Sequence, residues 1–208
     1  MCCDAILVDK SPSYADHVSY LDHAHAIFGS AARYVHLVRH PYACIESGAE
    51  LVVKYIRKDA FNKERGGDPS LAWPSMEAAW AAAQNNVNEF MARTCVQEAS
   101  EATSHIDAAR PRAQRILYED LLREPERVLT KICQLMQVAY EPNMAEPYDT
   151  EAVQTFRSAQ NVSTTDPKLL RRRKIDAAQA DKWRRVKLPQ PLIEEARVLA
   201  RGFGYELE

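Results

Sequence analysis

The chain has 208 residues, 46% apolar and 27% charged, enough for one domain with a sizeable core spanning residues 1–208. A net charge of −2, from 27 basic and 29 acidic residues, excludes a general attraction to nucleic acid or to acidic membranes, so any anion site must be a local cluster. The five cysteines are odd in number and lack paired spacing with histidines, no apolar stretch reaches membrane-spanning length, and no signal-peptide pattern is present; the expectation is a soluble cytoplasmic chain with reduced thiols.

Residues 5–8 (AILV) form a short apolar run, expected as a buried strand. The proline-bearing segment 9–14 then reads as a loop or helix start. Apolar groups at helical spacing over 19–28 predict a helix that stops at Gly29. Residues 34–38 (YVHLV) predict a second strand, and 41–56 a helix with Pro41 in its first turn. Residues 57–74 read as an exposed loop, and 75–98 as a long helix with Ser75 as N-cap and Trp80, Val87, Phe90 and Met91 on its apolar side. A polar connection over 100–113 leads to a third strand at 114–118 and an amphipathic helix at 126–137, with Glu119 and Asp120 expected to cap it. Residues 141–189 are polar with few periodic signals, and 190–203 predict a closing helix that ends at Gly204. Strands alternating with helices indicate an α/β fold with parallel strands.

Arg39 follows the apolar run 34–38 directly. The C-terminal end of a strand is where open α/β sheets bind ligands, and a guanidinium there can fork onto two oxygens of an anion. The helix that follows offers free N–H groups and a partial positive end. Ser47, eight residues past Arg39, could donate to the same anion. The alternative is a surface arginine and a filler serine, and spacing alone does not separate the two.

"LVRHPYACIES" resembles the 3′-phosphate motif of sulfotransferases that use 3′-phosphoadenosine 5′-phosphosulfate (PAPS). "LVDKSPSYA" resembles the family's Lys-Ser/Thr-Pro-x-Tyr strand end, and "LYEDLLREPERVLTKICQLMQV" its later strand–helix segment. "RRRKIDAAQADKWRRV" with "FGYE" resembles its basic run and last helix. The blocks occur in family order over nearly the whole chain, with particular similarity to the sulfotransferase domain of olefin-forming modular polyketide synthases.

The resemblance implies a P-loop NTPase-like parallel sheet flanked by helices, with PAPS as co-substrate and no metal. Arg39 and Ser47 would bind the 3′-phosphate, and Arg171, Arg172, Arg173 and Lys174 resemble the loop that closes over it. Lys10 would stabilise charge building on the bridging oxygen as the sulfuryl group leaves; its other reading is a solvated lysine. The acceptor would be an alcohol, either a small molecule or a hydroxyl on a carrier-protein-tethered acyl chain.

The resemblance also implies a glycine-rich loop that cradles the 5′-phosphosulfate. None of the six glycines forms a strand–glycine loop–Lys–helix unit, so the first βαβ portion is expected to be absent, and the edge so exposed to invite association. No general base is assigned. Of the six histidines, His23 and His25 lie two apart on one helix and face different ways, His36 reads as a satisfied sheet histidine, and His40 is a candidate ligand contact. The polyketide-synthase relatives carry a histidine before their C-terminal helices, but residues 158–180 contain none. Three readings follow: a sulfotransferase domain, a catalytically inactive remnant that binds a nucleotide phosphate or another protein, and a nucleotide kinase. The last fares poorly without a Walker lysine or a paired acidic site for magnesium.

Overall fold

The computed structural model describes residues 6–10, 12–58, 72–101, 112–148 and 174–207. Helix α1 runs Val18–Phe28 and stops where Gly29 takes a φ of +57°, a left-handed conformation that costs glycine little. Strand β1 is Tyr34–Val38, and α2 follows as Pro41–Lys58. The long helix α3 is Trp73–Glu101. Strand β2, Ala113–Leu117, passes into the short helix α4, Tyr118–Arg123, and then α5, Pro125–Met136. A 3₁₀ segment, Ala177–Arg185, precedes the last helix α6, Glu194–Gly202.

Among the described residues the sheet consists of β1 and β2, parallel and in register from Tyr34 opposite Ala113 to Val38 opposite Leu117. Alternation along β1 separates two faces. Tyr34, His36 and Val38 point to α3 and α6: Tyr34 meets Phe90 edge-on, and His36 meets both Gln84 and Phe203. Val35 and Leu37 point the other way and are 41% and 50% exposed. The core gathers Val38, Ile45, Trp80, Ala81, Leu192, Ala196, Ala200 and Tyr205 where α2, α3 and α6 converge.

The strand expected at 5–8 does not form. Ile6, Leu7 and Val8 lie outside any strand and are exposed, and Ala5 is outside the described residues. An extended segment is held as a strand only by a neighbour that takes its N–H and C=O groups, and β1 pairs with β2 instead. Ser75 also departs from expectation. α3 starts two residues earlier, so Ser75 sits within its first turn and donates its hydroxyl to the Ala72 carbonyl. Of the loop expected over 57–74, residues 57–58 belong to α2 and 73–74 to α3, while 59–71 lie outside the described residues.

Glu77 joins two helices. Its carboxylate is buried on α3 and accepts the backbone N–H of Ile193, the residue that leads into α6. α6 has no side-chain cap of its own, so Glu77 satisfies one of its orphan donors from across the core. Glu77→Ala would bury an unpaired N–H and is expected to destabilise the chain by about 1–3 kcal/mol, read from urea midpoints. A loss well under 1 kcal/mol would show that water reaches Ile193.

Candidate functional site

Parallel pairing places the C-terminal ends of β1 and β2 side by side, so the residues that follow them meet. Arg39 comes after Val38 and Tyr118 after Leu117, and the guanidinium of Arg39 lies 5.1 Å from the centre of the Tyr118 ring. A cation over an aromatic face is oriented without being neutralised. Arg39 also stands at the N-terminal end of α2, where the helix dipole favours an anion, although Pro41 has no N–H and the His40 and Tyr42 N–H groups are already engaged within the protein. This donor set fits a phosphate: a fork of N–H groups on a fixed base beside a helix N-terminus.

The backbone on either side of Arg39 is pinned. The His40 N–H donates to Glu119 Oε1 at 3.0 Å. Glu119 Oε2 accepts the Tyr205 hydroxyl at 2.7 Å, and that hydroxyl also lies 3.2 Å from the Val38 carbonyl. Glu119 is 4% exposed. It was expected as a helix cap; α4 and α5 in fact begin without side-chain caps, and Glu119 points into the core. Asp120 does not cap either: its carboxylate pairs with Arg127 at 3.7 Å. Burial and the neighbouring Glu119 carboxylate hold the Tyr205 phenol far above its ordinary pKa, so it remains a donor.

His40 was expected near a ligand, and the structure corrects this. The ring is fully buried and stacks on Trp183 at 3.9 Å, nearly coplanar. Its Nδ1 accepts the Tyr42 N–H, and its Nε2 donates to the Glu206 carbonyl. Burial pushes its pKa down to about 4, against a partial offset from the Glu206 carbonyl. His36 is satisfied, as expected: Arg115 Nε donates to its Nδ1 and its Nε2 meets Gln84. Burial, then the Arg115 charge, lowers its pKa to about 4. Cys44 donates to the Arg39 carbonyl, and burial raises its thiol to about 11, so it is no nucleophile near neutral pH.

The other candidates are spread out. Ser47 is exposed on α2, and Lys10 is exposed just before the 3₁₀ turn Pro12–Ala15. Asn86 on α3 donates to the Ala15 and Asp16 carbonyls and anchors that turn. Among the described residues no hydrogen bond or ring contact links Lys10, Arg39 and Ser47 to one another. Arg171, Arg172, Arg173 and His105 lie outside the described residues, while Lys174 is exposed. Sequence reasoning placed Arg39 between a strand and a helix, as the structure has it, but missed the Glu119–Tyr205 pair. Both residues lie in blocks quoted for the family resemblance, but spacing carries no sign that they meet 86 positions apart.

A family profile described as "Sulfotransferase family" matches residues 2–142. The chain belongs to the sulfotransferase family. Its fold is similar to the sulfotransferase domain from the curacin biosynthetic pathway, at 29% identity and a TM-score of 0.71, over 99% of this chain and 64% of that one. It is also similar to the sulfotransferase domain of the Synechococcus PCC 7002 olefin synthase, at 33% identity and a TM-score of 0.69, over 96% of this chain and 58% of that one. The chain thus spans about three-fifths of the sulfotransferase domains it matches. No curated protein matches it. The helix-rich α/β architecture with a small parallel sheet is the sulfotransferase fold. Among the described residues no helix is long and apolar enough to cross a membrane.

Proposed function

We propose that the chain is a PAPS-dependent sulfotransferase domain whose 3′-phosphate site is built on Arg39. The observation that carries this reading is the Arg39 guanidinium, seated on Tyr118 at the shared C-terminal end of two parallel strands and beside the N-terminus of α2. In the overall reaction PAPS supplies a sulfuryl group whose bond to the bisphosphate oxygen breaks as a bond to an alcohol oxygen forms, with loss of the alcohol proton.

Arg39 would grip two phosphate oxygens while the α2 N-terminus adds its dipole. Ser47 would donate further along the helix, and the basic run 171–174 would lie over the same group. Lys10 would hold a fixed positive charge where the leaving oxygen becomes negative. The acceptor proposed is an alcohol, either a small molecule or a β-hydroxyl on a carrier-bound acyl chain.

One observation favours a second reading, a domain that binds the nucleotide without turning it over. His40, the histidine nearest Arg39 in sequence, has both ring nitrogens engaged and is sealed in the core, so it cannot take a proton from an acceptor.

Calorimetric titration with adenosine 3′,5′-bisphosphate tests the binding claim common to both. Saturable binding is expected, and Arg39→Ala should weaken it by about 1.5–3 kcal/mol, roughly ten- to hundredfold. Unchanged affinity would remove Arg39 from the site. Sulfation of a hydroxyacyl acceptor, assayed in parallel, separates the enzyme from the binding module.

A further inference from the structure

We infer that Glu119 and Tyr205 are positioning residues that set the aim of Arg39 toward its anion. This inference rests on the proposed 3′-phosphate site.

The geometry is a two-sided clamp on three consecutive residues. Behind Arg39, the Val38 carbonyl faces the Tyr205 hydroxyl at 3.2 Å; ahead of it, the His40 N–H donates to Glu119 at 3.0 Å. The 2.7 Å bond between Tyr205 and Glu119 closes the clamp. Glu119 fixes the peptide unit after Arg39, and the single Tyr205 proton, shared between Glu119 and the Val38 carbonyl, braces the one before it; together they set the direction of its Cα–Cβ bond. The same first turn of α4 supplies Tyr118, on which the guanidinium rests. One turn of helix thus orients the arginine at its root through Glu119 and at its tip through Tyr118.

A carboxylate as buried as Glu119 is costly unless fully hydrogen-bonded, and an apolar residue would fill the same volume more simply. Its use here is explained by what it holds. Where the strand gives way to α2, the buried His40 ring and the Cys44 thiol hold the far side of the turn, and Glu119 and Tyr205 act on the two peptide units that flank Arg39 itself. An anion site needs its donors held within a fraction of an ångström, and supporting hydrogen bonds on the backbone achieve that.

The test is a double-mutant cycle on affinity. Tyr205→Phe keeps the ring and its packing but removes the hydroxyl; Glu119→Gln keeps the shape but removes the charge. Each is expected to weaken adenosine 3′,5′-bisphosphate binding about tenfold beside an intact Arg39, and by less than about twofold in the Arg39→Ala background. A merely structural role would lower the melting temperature and leave the affinity of the folded chain unchanged, or shift it equally in both backgrounds. Either result would overturn the inference alone. If the parent chain does not bind, or if Arg39→Ala binds as well as it does, the anion site itself falls and the positioning role falls with it. Should Glu119→Gln not fold, Tyr205→Phe decides the matter.

Discussion

Trp183→Ala is expected to cost about 3–5 kcal/mol of stability, the range for deleting a large buried aromatic side chain. Trp183 is 7% exposed within the 3₁₀ segment Ala177–Arg185. One face stacks on His40 at 3.9 Å, its edge reaches Tyr42, and the Arg184 guanidinium lies over the ring at 4.5 Å. The segment also buries Ala180 and is tied to α4 by the exposed pair Arg123–Asp181, which contributes little in water. The indole is the larger of the two side chains the segment buries. Against a total of about 5–15 kcal/mol, its loss should lower the melting temperature by about 10 °C or more. Trp183→Phe retains a ring against His40 and should cost clearly less. Thermal unfolding followed by circular dichroism reads both, and a loss under about 1 kcal/mol for the alanine variant would show that the ring is not seated on His40.

Acid should destabilise the chain well above the pH at which carboxylates titrate. His36 and His40 are both held near a pKa of about 4, below the ordinary histidine value. In each, Nδ1 already accepts a hydrogen bond, from Arg115 Nε or from the Tyr42 N–H, so a proton there would set donor against donor. The unfolded chain therefore binds more protons than the folded one between about pH 6.5 and 4, and stability falls as pH falls through that window. It is fully present above pH 6.5 and stops falling from this source below about pH 4. The loss is about 3 kcal/mol at buried His40 and less at half-buried His36, where water screens the charge. Urea midpoints from pH 7 to 4.5 measure it, and His36→Gln should flatten the slope. A flat profile over that range would mean that neither ring is kept neutral by the fold.

What sequence made legible follows the range of the forces involved. β1 was placed to the residue and β2 to within one, because an apolar run of strand length is a local signal. The stop of α1 at Gly29 and the span of α5 were likewise local. The run at 5–8 carried the same signal but lacks a pairing neighbour, which no local pattern reports. The place of Arg39 at the β1–α2 junction was legible because a strand end followed by a helix is a sequential arrangement. Glu119 was not, since an acidic residue after a strand looks like a helix cap, and only Tyr205 and His40 show where it points. His40 was misplaced for the same reason: its partners Trp183 and Glu206 lie far along the chain.

The bonds that tie residues 38–40 to Tyr205 and Glu206 span separations of 166 and 167 positions. Ribosomes add about 5–20 residues per second, so the strand end leaves the exit tunnel roughly 10–30 s before its last fastenings are made. During translation β1 can pair once β2 has emerged, and Tyr118 can then meet Arg39, but the bonds to Tyr205 and Glu206 are still missing. The hydrogen bonds from Tyr205 and Glu206 that brace this junction can therefore form only after the residues that follow α6 have docked.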